Sequence, residues 1–250
     1  PSERNQGGCG DCWQWAGTGV VEIALNVQKG IRDRLSLQHV SSCYNGGSND
    51  GCVCCGGWMS MLADFYEQQG YALPWSNTNA AWRDGGRWCG DYGACSAAAV
   101  SCGAISDWPQ YPIGLCNVVS IPTTNIGQEQ AIANIKAVLH QNKAIFFAFF
   151  LPDSEEWGKF GSFWGNQPES AVFNPNSACG KEWGSGGAGH AVLCVGYDDT
   201  DPNNPYWIML NSWGAGSNRP NGLFRISMNM DYDCIVGSFH AFYWETLDIS

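Results

Sequence analysis

Gln6-Gly7-Gly8-Cys9-Gly10-Asp11-Cys12-Trp13 sets two cysteines around a glycine turn, directly before an apolar pattern of helical period. Apolar side chains recur at Trp13, Ala16, Val20, Ile23, Ala24 and Val27, mostly three or four residues apart, which predicts a helix from residue 12 that ends near Gly30. Asp11 stands at its start, where a carboxylate can cap the first amides and suit the positive end of the helix dipole. Cys12 is thereby placed at a helix N-terminus, which favours the thiolate, the nucleophilic form of cysteine. Gln6, six residues upstream, supplies an amide donor of the kind that stabilises an oxyanion. Read by itself, the C-x-x-C also suits a redox pair or half of a zinc site.

Two later segments bear on that choice. Gly189-His190-Ala191-Val192-Leu193-Cys194-Val195-Gly196-Tyr197 places a histidine at the head of an apolar strand, and Asn211-Ser212-Trp213-Gly214 follows the strand pattern Tyr206 to Leu210. Alone, His190 would read as a structural residue and Asn211 as a turn residue. Together with Cys12 they stand in the order nucleophile, base, orienting amide.

Composition bounds the remaining choices. The chain has 250 residues, enough for one large domain or two intimately packed small ones with a sizeable core. Its formal net charge of −11 argues against a phosphate-binding surface, so no nucleic-acid partner is expected. The longest apolar run, Ala144 to Leu151, is too short for a bilayer span of about 20 residues. The chain opens at Pro1 without a signal-peptide pattern, which reads as a processed or trimmed form. Thirteen cysteines are many for a reducing compartment, and the odd count leaves at least one thiol unpaired within the chain.

Helical spacing recurs at Ser36 to Ser42, with Ser36 as cap, between Gly57 and Gly70, and over Gln128 to Gln141. Residues 71–127 are rich in Gly, Asn, Asp, Trp and Cys, have little periodicity and need fastening by cysteines. Beyond them, strand patterns run over Ala144 to Leu151, Ala188 to Tyr197, Tyr206 to Leu210 and Leu223 to Met228. Helices first and strands later predict an α+β architecture with two segregated lobes, a mainly helical one over 6–115 and a mainly β one over 116–240, followed by a C-terminal tail, 241–250. His39 is expected on a helix surface and His140 at a helix end.

The three segments resemble the papain family of cysteine peptidases, whose Cys signature and Cys-His-Asn constellation they reproduce. The likeness extends to Ser36-Leu37-Gln38 with Cys43, to Cys54-Cys55-Gly56-Gly57, and to Asn221-Gly222-Leu223-Phe224-Arg225-Ile226. It covers about residues 5–70 and 143–240, and only loosely the middle. Asp11 departs from the signature's Ser or Ala, and a carboxylate beside a thiolate opposes its ionisation. Cys55 replaces the usual asparagine. The separation of Cys12 from His190, 178 residues, exceeds the roughly 130–150 of the signature and implies insertions.

The resemblance implies a papain-like fold: a helical left lobe and an antiparallel β-barrel-like right lobe with the active-site cleft between them. It also implies an endopeptidase acting through a Cys12 thiolate and His190 imidazolium, with Asn211 orienting the ring, Trp213 covering it, and the Cys12 amide and Gln6 holding the oxyanion. Gly56 and Gly57 would pair with an extended substrate, while Trp58, Met59, Ala148, Gly189 and Ala191 line the binding groove. It suggests disulfides Cys9–Cys54 and Cys179–Cys234, with Cys43 reaching Cys89 or Cys95. Cys194, inside an apolar strand, reads as a buried thiol, so five disulfides and three thiols are expected. No cofactor and no metal are implied. The expected partners are polypeptide substrates, a propeptide or protein inhibitors of cysteine peptidases, and the chain is expected to be a monomer in a secreted, lysosomal or vacuolar setting. The alternatives are an exopeptidase whose 71–127 insertion blocks the cleft, an inactive binding or storage member, and a non-catalytic cysteine-rich metal module using Cys52, Cys54, Cys55, Cys89, Cys95 and Cys102.

Overall fold

A computed structural model describes residues 3–44, 52–90 and 95–250. The chain divides into two compact units, one of residues 5–119 with 247–250 and one of residues 1–4 with 120–246. Among the described residues, no helix is long and apolar enough to cross a membrane.

The first unit is built on α1 (Cys12–Lys29), α2 (Leu37–Cys43) and α3 (Met59–Gln69). Gly30 ends α1 and Gly70 ends α3, each with a positive φ near 70° that L side chains rarely adopt. Ser36 caps α2 by accepting the His39 amide at 2.9 Å. α1 packs against α2 and α3, and Val20, Val21, Leu25, Val40, Leu62 and Phe65 on the three helices are all buried. His39, expected at the surface, is 2 % exposed. Its ring stacks on Tyr71 and meets Phe65 edge-on, and burial holds its imidazole down near 4, so a neutral aromatic occupies that core position.

The described residues of 71–119 hold little regular structure. Two short strands, β1 (Tyr71–Ala72) and β2 (Tyr111–Pro112), pair antiparallel. The segment is fastened covalently. Cys43 joins Cys102, Cys52 joins Cys95 and Cys55 joins Cys89. The expected partners of Cys43, Cys89 and Cys95, are thus taken by Cys55 and Cys52. Asp84 fastens the segment a second way. Its buried carboxylate accepts hydrogen bonds from Gln38 Nε2, Ser41 Oγ, Arg87 Nη1 and the Ala99 amide, at 2.9, 2.5, 3.3 and 2.7 Å.

β3 (Cys116–Ser120) carries the chain into the second unit. There α4 (Gln128–Leu139), β4 (Ile145–Asp153), α5 (Ser154–Asn166), β5 (Val172–Phe173), β6 (Gly186–Asp198), β7 (Tyr206–Leu210), β8 (Leu223–Ser227), the hairpin β9 (Ile235–Val236) and β10 (Phe239–His240), and β11 (Phe242–Ile249) follow. Among the described residues, seven strands form one sheet in the order β3-β11-β4-β6-β7-β8-β5. Among the described residues no ladder joins β3 to β5, so the barrel-like lobe of the expectation is an open sheet. Residues 242–249, expected as a tail, form β11 and pair with β4. Every second residue of β4, namely Ile145, Phe147, Phe149 and Leu151, enters one core with Trp207, Met209, Phe224 and Trp244.

The helix α5 escapes the apolar-periodicity reading because Gly158, Gly161 and Gly165 interrupt it. Its signals are at the start. The Asp153 side chain accepts the Glu156 amide, Glu155 and Glu156 occupy the first turn, and Trp157, Phe160, Phe163 and Trp164 then recur at helical spacing.

Candidate active site

The expected site residues fall into two sets, one in each unit. In the first unit the turn Gln6–Asp11 leads into α1, and Cys12 is that helix's first residue. The turn is fixed from below by the Asp84–Gly86 segment. The Gly8 amide donates to Gly85 O at 2.7 Å, and a Cβ at Gly7 would lie 2.3 Å from the same oxygen. Only glycine fits that approach. Gln6 is buried, and its Nε2 donates to Cys9 O at 2.7 Å, which holds the amide over the turn. The Cys9–Cys54 disulfide ties the turn to the stretch before α3.

Asp11 does not cap α1 with its side chain, contrary to the expectation. The amides of Gln14 and Trp15 donate to its backbone carbonyl instead, at 2.8 and 3.3 Å.

Gly56 and Gly57 run alongside this turn, since Gly10 bridges to Cys55. A Cβ at Gly57 would meet the Trp13 indole at 2.5 Å, so the glycine exists to let the backbone lie on that ring. Trp58, 42 % exposed, caps the opening of α3 and is available for contact. Met59 is fully buried, with its sulfur turned toward Gly17 of α1. It packs between two helices, α1 and α3.

In the second unit His190 stands on β6 opposite Phe149 of β4. It is buried, and its ring lies 4.7 Å from Trp213 at a 30° tilt, with Phe149 and Trp157 edge-on. His190 Nε2 meets Asn211 Oδ1 at 2.8 Å. The same oxygen accepts the Ser212 amide at 2.8 Å, which identifies it as the oxygen of the side-chain amide. The histidine nitrogen facing it must therefore carry a proton, leaving Nδ1 as the basic atom. Burial holds this imidazole down near 4, with the Asn211 hydrogen bond acting in the opposite direction. A neutral ring with one fixed tautomer is the form a proton acceptor needs.

Ala148 and Ala191 face each other across β4 and β6, and both are buried. Gly189 pairs with Phe150, and a Cβ there would press on that ring at 2.6 Å. The aromatic wall around His190, with Trp157 and Phe160 on α5, was not legible as site structure because the helix itself was not.

Cys12, Cys116 and Cys194 are the cysteines outside the five disulfides, the fifth being Cys179–Cys234. Cys52, Cys54, Cys55, Cys89, Cys95 and Cys102 all belong to disulfides. A zinc site needs thiolates, so the metal-module reading has no ligands among these six.

Comparison with known proteins places the chain in a family. The family description "Papain family cysteine protease" matches residues 2–108 and 165–243. Similar proteins include digestive cysteine proteinase 3 of Homarus americanus, 26% identical over 94% of this chain and 60% of its own length, and the thiol protease aleurain of Arabidopsis thaliana, 27% identical over 90% and 52%. The chain spans about half the length of the curated relatives it matches. Among solved structures, the bromelain protease of Ananas comosus covers 98% of this chain and is itself covered to 92%, with a TM-score of 0.64 at 23% identity. Digestive procathepsin L 3 of Tenebrio molitor gives 0.61 at 22% identity, over 98% of this chain and 65% of its own. At those identities the structures speak for the fold, which is papain-like. With the family description matched over residues 2–108 and 165–243, which hold Cys12, His190 and Asn211, the chain belongs to the papain family of cysteine proteases.

Proposed function

We propose that the chain is a cysteine endopeptidase in which Cys12 is the nucleophile, His190 the general base and acid, and Asn211 the residue that orients it. The observation that carries this reading is the buried His190–Asn211 pair, with its amide oxygen fixed by Ser212 and its basic nitrogen left to accept a proton. In the proposed cycle the Cys12 proton passes to His190, and the sulfur bonds to the substrate carbonyl carbon. The Cys12 amide and the Gln6 side chain donate to the resulting oxyanion, each such donor being worth about 2.7–4 kcal/mol. As the C–N bond breaks, the imidazolium returns its proton to the leaving amine. Water, deprotonated by the same imidazole, then cleaves the thioester and restores the thiol. Trp213 keeps solvent off the His190–Asn211 bond.

The proposed substrate is an extended polypeptide that adds a strand along Gly56 and Gly57, with Trp58, Ala148, Gly189 and Ala191 in contact with it. The five disulfides favour a secreted, lysosomal or vacuolar compartment.

The test is iodoacetamide treatment with turnover of a long, end-blocked peptide measured in parallel. Loss of cleavage in step with modification of Cys12 is expected, with products cut from internal positions. Cleavage that persists after full modification of Cys12 overturns the assignment. Products shortened only from one end move the activity to an exopeptidase.

A further inference from the structure

One face of α1 buries more polar atoms than its surroundings satisfy. Asp11, Gln14 and Thr18 lie at i, i+3 and i+7, along one stripe. Their exposures are 0, 0 and 1 %. Both carboxyl oxygens of Asp11, both amide atoms of Gln14 and the Thr18 hydroxyl are buried with no hydrogen-bond partner, as is Tyr66 Oη on α3.

The same unit contains a buried carboxylate that is well served. Asp84 accepts four hydrogen bonds, one of them from the Arg87 guanidinium. Asp11 has no cation paired to it and no capping role, since the helix amides bind its backbone carbonyl; its own amide and the Trp15 indole are the donors acting on its carboxyl. An ionised carboxylate in such a place costs several kcal/mol, and the ordinary escape is to take up a proton. The charged groups acting on Asp11 are Asp84 and Arg87, of opposite sign and paired with each other at 3.3 Å, so their fields largely cancel.

We infer that Asp11 is held as a neutral carboxylic acid and is a positioning residue for Cys12, keeping negative charge away from the thiolate and the first turn of α1 seated. The placement explains how an acidic residue can precede the nucleophile at all. As a charge it would oppose thiolate formation on the adjacent residue. As a neutral acid it acts only as a buried anchor, and its carbonyl begins the hydrogen-bond ladder of the helix. Burial pushes its carboxyl well above the usual carboxylate range, with Asp84 adding to this and its own amide, Arg87 and the Trp15 indole opposing it. The sign follows directly. A raised value means the folded chain binds a proton that the unfolded chain has lost, so this contribution is present in acid and lost as pH rises through the folded value. Cys12 is expected to lose reactivity over the same range.

The inference rests on the proposed role of Cys12, and the experiment separates the two. The infrared C=O band of a protonated carboxylic acid is recorded on the whole chain from pH 5 to 9, with D11N as the reference. Cys12 alkylation rates are followed across the same range in wild type, D11N and D11S, alongside peptide turnover. The expected result is an acid band that persists at pH 7 in wild type and is missing from D11N. With it, the wild-type alkylation rate, relative to D11N, falls about tenfold per pH unit once Asp11 ionises. D11N and D11S should show no such fall. A band lost together with the ordinary carboxylates, or an alkylation profile of D11N that tracks wild type, overturns the inference. So does a D11N chain that reacts or folds worse than wild type at pH 5, because a neutral isostere would then fail where a charge is needed. Absent peptide turnover with this band intact would fail the peptidase reading alone.

Discussion

Asn211 Oδ1 accepts two hydrogen bonds at once, one from His190 Nε2 and one from the Ser212 amide, each at 2.8 Å. The backbone donor fixes the side chain's orientation, and the side chain fixes the tautomer of the histidine. The cost is an Asn211 Nδ2 that is buried without a partner. A buried donor left unmet is tolerated where function holds the group in place.

Asn211→Ala should therefore lower kcat/KM by about 10²-fold, about 2.7 kcal/mol of transition-state stabilisation, with little change in KM. Asn211→Asp keeps an acceptor for both donors and adds a negative charge beside the ring. It should recover part of the rate and move the acid limb of the pH profile upward, because the charge favours the imidazolium. Rate profiles of the three proteins against one peptide check this.

The three cysteines outside disulfides differ in reactivity for physical reasons. Burial pushes the Cys116 and Cys194 thiols up to about 12, whereas Cys12 is half-buried at the start of a helix. The native chain should take up one iodoacetamide, on Cys12, and the denatured but unreduced chain should take up three. Peptide mapping by mass spectrometry counts them. A native chain labelled first at Cys116 or Cys194 would contradict this ordering.

What could be read in the residues and what could not divides by the range of the interaction. The helices at Cys12, Ser36 and Gly57 announce themselves through local spacing and caps. The helix α5 is hidden by Gly158, Gly161 and Gly165, and its packing against the sheet through Phe160 overrides their weak propensity. The family's Cys-His-Asn order is legible because the three motifs are short. The partner of Cys43 is not, since it depends on how an irregular segment folds back, and a count of cysteines cannot choose among pairings. Met59 next to Trp58 shows the same limit. Adjacent residues at a helix start share a motif, yet one is exposed and the other fully buried.

Gly57→Ala tests whether the substrate-side backbone tolerates a side chain. Its Cβ would lie 2.5 Å from the Trp13 indole, which is buried and anchored by its Nε1–H to Val53 O at 2.9 Å. The ring has nowhere to move, so the backbone must. Overpacking of this kind costs about 1–3 kcal/mol, to be read as a lower urea midpoint at unchanged slope. The displaced strand should also raise KM for an extended peptide more than for a minimal one-residue ester.

Glu156 supplies the last test, through pH. Its carboxylate is 1 % exposed. Oε1 accepts from Lys159 and Lys181, and Oε2 from Ser177, each at 2.6 Å. Burial opposes its ionisation, but the three donors outweigh that and hold the carboxyl near 2, below its ordinary 4.5. A depressed value means the unfolded chain binds the proton first, so the stability it contributes is present above about 4.5 and is lost as pH falls toward 2. Both lysine partners are partly open to solvent, at 45 and 33 % of the side chain, which screens the attraction. Glu156→Gln should thus destabilise the fold by about 1–3 kcal/mol at pH 7, less than a sealed ion pair would. The gap between variant and wild type, measured by urea unfolding at each pH, should close as pH falls from 5 to 2. A gap that stays constant over that range would assign the loss to packing instead of charge.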